Sequence, residues 1–141
     1  MRCWYKIDET INCIFAKRAD EYNHKEWLYL IDTIKRDPRL RPGMNRIYQY
    51  AENSTSPTKE QIRDYVNIFQ KADNELGQRK VAFIAPKPLI FGMTRMYELM
   101  RNNSVATFHV CETFEQAKKW VGLPAEFENP FPTFDKIETT E

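Results

Sequence analysis

Apolar residues recur along this chain in two spacings, and stretches of one kind alternate with stretches of the other. Unbroken runs or strict alternation point to strands, and stripes at three and four point to helices. The clearest strand is 81–85, Val-Ala-Phe-Ile-Ala. It is too short for a buried helix and has the character of a strand covered on both faces in the middle of a sheet. Residues 3–7 and 11–16 are two short β-prone runs around Asp8, Glu9 and Thr10, which suits a tight hairpin. With that loop, Cys13 faces Tyr5 and Cys3 faces Phe15, so the two cysteines become diagonal neighbours on one face. In 44–50, Met44, Arg46, Tyr48 and Tyr50 alternate with Asn45, Ile47 and Gln49, a pattern polar enough to place the strand nearer an edge. In 106–112, Ala106, Phe108 and Val110 alternate with Thr107, His109 and Cys111, which predicts a strand with one polar face.

Helical stripes fill the intervals. Trp27, Leu30, Ile31 and Ile34 predict a helix over 24–36, capped by Asn23 with Glu26. Ile62, Tyr65, Val66, Phe69, Ala72 and Leu76 predict one over 58–76, opened by a capping box of Thr58 and Gln61 and stopped by a left-handed Gly77. Pro86 and Pro88 remove two backbone donors after 81–85, so the chain is expected to leave the sheet through an extended loop and to start a helix near Phe91 and Gly92. The inward stripe of that helix, 91–102, is expected to be Met93, Met96, Tyr97 and Met100. Thr113 and Gln116 cap a last helix with Phe114, Ala117, Trp120 and Val121 inside, ended by Gly122 and Pro124.

The order β-β-α-β-α-β-α-β-α defines an α/β layer protein with a mainly parallel sheet of about five strands and an N-terminal hairpin. Right-handed crossovers that step in one direction put successive helices on one face, and a reversal moves them to the other; the sequence leaves both open. The polar positions of 44–50 and 106–112 favour a sheet whose four or so helices lie mostly on one face. Residues 1–123 form the predicted domain. Residues 124–141 are an acidic tail of prolines and aromatics expected to lie along an apolar groove through Phe127, Phe131 and Phe134.

Composition narrows the class. At 141 residues, 42% hydrophobic and 29% charged, the chain reads as globular, and no stretch approaches the apolar length of a membrane span. Its N-terminus lacks the apolar core of a secretory signal, and Cys3, Cys13 and Cys111 are odd in number without a CxxC pair, so a cytoplasmic protein without disulfides or thiolate metal sites is expected. The net charge of +1 offers no field to steer nucleic acid. Lys35, Arg36, Arg39, Arg41 and Arg46 do cluster in sequence, but they read better as a solvated helix end, and no nucleic-acid partner is expected.

The run RKVAFIAPKPLIFGMTRMYELM, residues 79–100, followed by VATFHVCETFEQAKKWVG, resembles the C-terminal half of the SpoIIAA-like family. That family is related to STAS (anti-sigma-factor antagonist) domains and is likened to CRAL-TRIO lipid-carrier domains. The likeness is carried by Val81-Ala82, Phe91-Gly92-Met93, Arg95-Met96-Tyr97 and Phe114 with Ala117 and Trp120; it covers 79–123, while the first half agrees only in its order of elements. It implies a STAS-like fold and a non-catalytic regulatory or binding role, with no cofactor. The phosphorylatable Asp-Ser-Ser/Thr-Gly motif of STAS regulators corresponds to Glu52-Asn53-Ser54-Thr55-Ser56-Pro57-Thr58, which has hydroxyls but neither the motif nor its glycine. That departure counts against phospho-switching.

Catalytic patterns are sparse. His24 and His109 share no metal-ligand spacing, no glycine-rich phosphate loop occurs, and Cys111 beside His109 reads as a structural thiol. Ligands of parallel sheets gather beyond the C-terminal ends of strands. Any ligand or phosphoryl site is therefore expected to draw on Ser54, Ser56, Thr58, Pro88, Phe91, Gly92 and Arg95, the last beside a helix N-terminus suited to an anion. The soft stripe of Met93, Met96, Tyr97 and Met100 is the candidate pocket for a lipid-like or other hydrophobic small molecule. Trp4, Tyr48, Tyr50, Phe127, Phe131 and Phe134 are the candidate interface for a protein partner or a second copy, since aromatic anchors dominate interface energetics.

Overall fold

The computed structural model describes residues 3–18, 23–50, 57–85, 88–101 and 104–133. Among them, strands β1 (Cys3–Asp8), β2 (Cys13–Arg18), β3 (Asn45–Tyr50), β4 (Arg79–Ile84) and β5 (Ala106–Cys111) are joined by helices α1 (His24–Arg36), α2 (Lys59–Leu76) and α3 (Pro88–Met100). Helix α4 (Phe114–Val121) and a 3-10 turn at Phe131–Thr133 follow. The sheet runs in chain order, β1-β2-β3-β4-β5, antiparallel between β1 and β2 and parallel across the other three pairs. Three crossovers stepping in one direction carry α1, α2 and α3 to one face, as right-handed connections require. Helix α4 packs against β4 and β5 from the other side.

Period two divides the strand residues between two cores. On the three-helix face, Tyr5, Ile7, Ile14, Ala16, Tyr48, Val81 and Phe83 meet the α1 stripe Trp27, Leu30, Ile31 and Ile34, the α2 residues Ile62, Tyr65 and Val66, and Tyr97 of α3. On the reverse face, Cys13, Phe15, Ile47, Ala82, Ile84 and Cys111 meet Phe114, Ala117 and Val121 of α4 together with Phe131. Strand β4 is covered on both faces, as its apolar run predicts. The helix starts follow the expected chemistry: Asn23 accepts from the Glu26 amide at 3.1 Å, and Thr58 with Gln61 and Thr113 with Gln116 both form complete capping boxes.

Several expectations are corrected. The hairpin turn is four residues, Glu9 to Asn12, rather than three, because Asp8 still pairs with Cys13 and Asn12 takes the left-handed position at φ 55°. The Asp8 carboxylate accepts from the Thr10 amide at 3.0 Å and shapes that turn. Cys3 therefore pairs with Arg18 and Tyr5 with Ala16, and the two cysteines fall on opposite faces, in different cores. Strand β3 is the central strand, not one near an edge. Its polar residues are used internally: Arg46 is buried, and the Asn45 Oδ1 accepts from the Lys80 amide of β4 at 2.9 Å.

Helix α3 begins at Pro88, three residues earlier than expected, because proline at the first helical position loses no intrahelical bond. Among its described side chains the buried ones are Thr94 and Tyr97, and buried Arg101 follows directly on the same stripe. Met93 and Met100 flank that stripe half-buried, and half-buried Met96 belongs to neither core. Gly77 ends α2 with positive φ but extended ψ, 75° and −178°, whereas Gly122 is the left-handed cap, at 91° and 32°.

Candidate functional site

A cavity of about 50 Å³ lies between the sheet and the three helices. Its floor is made by alternate residues of neighbouring strands, which period two turns to one side: Arg46, Tyr48 and Tyr50 of β3, Val81 and Phe83 of β4, and Phe108 of β5. Arg18 at the end of β2 and Arg79 at the start of β4 complete the rim. The roof comes from Trp27 and Ile31 of α1, Ile62, Tyr65 and Phe69 of α2, and Met93, Thr94 and Tyr97 of α3. A second groove of about 200 Å³ opens between α1 and α2 beside Lys35, Leu40, Arg41 and Glu75, and it shares Ile31, Arg46 and Phe69 with the inner cavity.

The floor is an aromatic ladder. Tyr48 stacks on Phe83 at 5.4 Å between centroids and Phe83 on Phe108 at 6.3 Å. Trp27 meets Tyr48 edge-on at 5.8 Å, and Tyr97 meets Phe83 and Phe108 edge-on at 5.8 and 5.7 Å. These separations are the favoured ones for offset and T-shaped pairs.

Into this apolar surround the fold brings arginines. Arg18, Arg46, Arg79 and Arg101 are 2%, 3%, 5% and 1% exposed. The Arg18 guanidinium lies 4.4 Å from the Tyr50 ring centroid and 5.8 Å from that of Trp27, within cation–π range. Arg46 donates from Nη1 to the Tyr48 hydroxyl at 3.0 Å. Arg79 donates to the Gly77 carbonyl at 3.0 Å and to Asp73 Oδ1 at 3.3 Å. Arg101 donates to the Tyr97 hydroxyl at 2.7 Å and to the same Asp73 oxygen at 2.7 Å. The Nε–H groups of Arg46, Arg79 and Arg101 are buried without a hydrogen-bond partner. Among the described residues, no carboxylate lines the cavity.

Burial lowers the pKa of Arg79, and the neighbouring charge of Arg46 acts in the same direction. Burial pushes the Tyr50 phenol up to about 12 against the pull of Arg18, and it raises that of Tyr97 in spite of Arg101. These phenols stay neutral near pH 7 and can donate or accept without titrating. The arrangement is suited to holding charge and shape rather than to moving protons.

The candidate pocket residues divide. Met93 and Tyr97 line the cavity, whereas Met96 and Met100 do not. Of the candidate interface, Tyr48 and Tyr50 are cavity floor, Phe127 and Phe131 pack on the reverse face, and Trp4 is half-buried on β1 under the Lys17 ammonium, which sits 5.9 Å from its ring. Of the candidate loop site, Thr58, Phe91, Gly92 and Arg95 do not reach the cavity, and Arg95 pairs with Glu98 at 2.5 Å. Pro88 opens α3, while Ser54, Ser56 and Phe134 lie outside the described residues.

The basic cluster also comes apart. Arg36 pairs with Asp32, Arg39 with Asp37 and Arg41 with Glu9, while Arg46 turns inward. Cys111 contacts the Phe83 and Thr113 carbonyls, its thiol pushed up by burial to about 11, and His109 stacks on Trp120 at 5.1 Å. The sequence signal for the site was present in Arg46-Tyr48-Tyr50, where an arginine shares a strand face with two aromatics; reading it as edge polarity concealed it. Arg79 and Arg18 each stand next to another basic residue, and nothing in the local pattern marks them as buried.

No family model, curated protein or solved structure matches the chain. Among the described residues, no group of three or more histidine, cysteine or acidic side chains is placed to hold a metal ion, and no helix is long and apolar enough to cross a membrane.

Proposed function

We propose that this chain is a non-catalytic, STAS-like binding module that senses or carries a small ligand in the cavity beneath α1, α2 and α3. One observation carries the reading: an aromatic ladder and buried arginines line a partly open space where a domain of this size would ordinarily be packed solid. Small-molecule sites combine mostly apolar walls with a few placed polar groups in this way. The STAS-like part of the reading is supported by the winding, with an N-terminal hairpin and three helices on one face of a sheet in chain order. A cytoplasmic location belongs to the same proposal and is supported by three buried cysteines, none of them in a disulfide.

The inner space bounds the ligand. At roughly 10–15 Å³ per water, 50 Å³ takes a few waters or a compact group, and a lipid tail exceeds it. A larger body would extend past Arg46 and Phe69 into the outer groove. Native mass spectrometry of protein purified from its source tests this. The expected result is a non-covalent adduct lost on denaturation. A bare chain mass, with no change in the Trp27 or Tyr97 side-chain resonances on adding a small-molecule extract of that source, overturns it.

A second reading, a protein-interaction or homodimerising module, is favoured by the β5 edge of the sheet, which is entered through Val105 at 48% exposure. It requires a solution mass above that of one chain, brought down by Val105→Glu. A single-chain mass across the accessible concentration range removes it.

A further inference from the structure

We propose that the group seated at the Arg46–Arg79 end of the cavity is an oxyanion, a phosphate or a carboxylate. The inference rests on the ligand-binding reading above and adds the ligand's charge and its place.

Charge balance is the first argument. Arg46, Arg79 and Arg101 are each at most 5% exposed, and among the described residues the one carboxylate bonded within this group is Asp73. That carboxylate is already engaged by Arg79, by Arg101 and by the Ser104 hydroxyl at 2.9 Å. Arg46 bonds only the neutral Tyr48 hydroxyl among the contacts described. Positive charge in this group therefore exceeds negative charge, in a place where uncompensated ions are costly to bury.

Donor geometry is the second argument. Arg46 and Arg79 both line the cavity, and in both the buried Nε–H has no acceptor. The guanidinium fork presents Nε–H and an Nη–H side by side, a spacing that two oxygens of one carboxylate or phosphate match. A cation would be repelled here, and a neutral carbonyl would satisfy a donor while leaving the charge excess in place.

Size and access agree. The inner space suits an oxyanion head of four or five heavy atoms rather than a whole cofactor, an estimate that follows from about 10–15 Å³ per water-sized group. Arg46 and Phe69 belong to both the cavity and the outer groove. A ligand can thus place its acidic head on the arginines and its organic body between α1 and α2, where Leu40 and Ile68 offer apolar contact.

The test follows the arginine Nε–Hε resonances of the ¹⁵N-labelled full chain during titration with inorganic phosphate and, separately, with acetate, each against chloride at constant ionic strength. The expected result is a saturable shift of the Arg46 and Arg79 signals with at least one anion, and only weak, non-saturating drift at Arg36 and Arg41. Which anion saturates distinguishes a phosphate head from a carboxylate. Arg46→Met is expected to weaken the response about tenfold or more and to raise the melting temperature of the anion-free protein by removing an unpaired charge. Should that variant fail to fold, Arg46→Lys keeps the charge, removes the fork and is expected to weaken binding as well.

Unmoved Arg46 and Arg79 signals in both series, or an affinity unchanged in either folded variant, overturn the proposal. A neutral adduct in the native mass spectrum with those signals unmoved leaves the ligand-binding reading standing and removes this one. A saturable shift without any copurifying molecule supports this one alone.

Discussion

The carboxylate of Asp73 on α2 lies 2.7 Å from the guanidinium of Arg101, the residue that follows α3, and it also accepts from Arg79 at the start of β4. One acid thus ties two helices and a strand together beside the cavity. Removing it would leave two nearly inaccessible guanidinium groups without their counter-ion. Asp73→Asn is expected to lower stability by about 3–5 kcal/mol, the range for breaking a buried pair from one side. Arg101→Met, which deletes a charge and keeps much of the contact with Phe69 and Phe108, should cost clearly less. Urea midpoints at unchanged m-value measure both; equal losses would show that packing, not charge, dominates at this junction.

Asp37 provides a pH-dependent counterpart at the end of α1. Its carboxylate accepts from the Arg39 side chain at 2.8 and 3.0 Å, from the Arg39 amide at 2.9 Å and from the Tyr5 hydroxyl at 2.8 Å. The Arg39 bonds, above all, hold its pKa well below the ordinary 3.8. A depressed carboxylate stabilises the fold fully above its unfolded pKa and loses that contribution as pH falls through the folded one. Stability should therefore decline below about pH 4. Asp37→Ala should cost about 1–3 kcal/mol at pH 7, and the gap from the wild type should shrink at pH 3 and below. A gap that does not change with pH would mean that the ion pair is not its source.

The layered order of elements was legible in the sequence because strands and helices here carry clean periods and complete caps; α1, α2 and α4 begin on Asn23, Thr58 and Thr113 as their side chains dictate. What escaped was whatever depended on polar groups pointing inward. Arg46 made β3 look like an edge strand, although it is the central one. Thr94 and Arg101 displaced Met96 from the buried stripe of α3 because their partners, Tyr50 and Asp73, lie inside. The hairpin register turned on a single residue, Asn12, whose positive φ adds one position to the loop and moves Cys3 and Cys13 to opposite faces. Helices mostly on one face were foreseen, but the side taken by α4 was not, since it leaves the last strand of a sheet that steps in one direction and no periodicity records that side.

Two helix-ending glycines make a controlled comparison. Gly77 and Gly122 both have positive φ, which disfavours any residue with a Cβ. A Cβ on Gly122 would meet open space, whereas one on Gly77 would lie 3.2 Å from the Gly43 amide nitrogen. Gly43 cannot retreat freely because its amide donates to the Leu76 carbonyl at 2.7 Å. Gly122→Ala is expected to cost about 1 kcal/mol, and Gly122→Asn less, because asparagine tolerates the left-handed region. Gly77→Ala should cost more than Gly122→Ala in the same urea series. Equal costs would mean that the 42–43 turn yields to the new methyl group.

The segment after α4 covers the sheet face that the three crossover helices leave open. Phe131 is 1% exposed and meets Phe15 and Phe114 edge-on at 5.9 and 6.1 Å, and Phe127 stacks on Phe15 at 5.6 Å. Lys118 fastens the segment by donating to the carbonyls of Ala125 at 2.9 Å and Phe127 at 3.2 Å. Proline-rich and without a strand or α-helix in its described part, it gains its order by burying these rings against Phe15 and α4. Phe131→Ala should cost about 3–5 kcal/mol, as for other buried aromatics. Ending the chain after Leu123 should cost at least as much and leave Phe15 uncovered, so that the shortened protein associates with itself in sedimentation. Lys118→Met, which removes the fastening and keeps the rings, should fall between wild type and Phe131→Ala. A shortened chain with unchanged stability and unchanged solution mass would show that the aromatic contacts contribute nothing measurable, and the second core would then have to be complete with α4 alone.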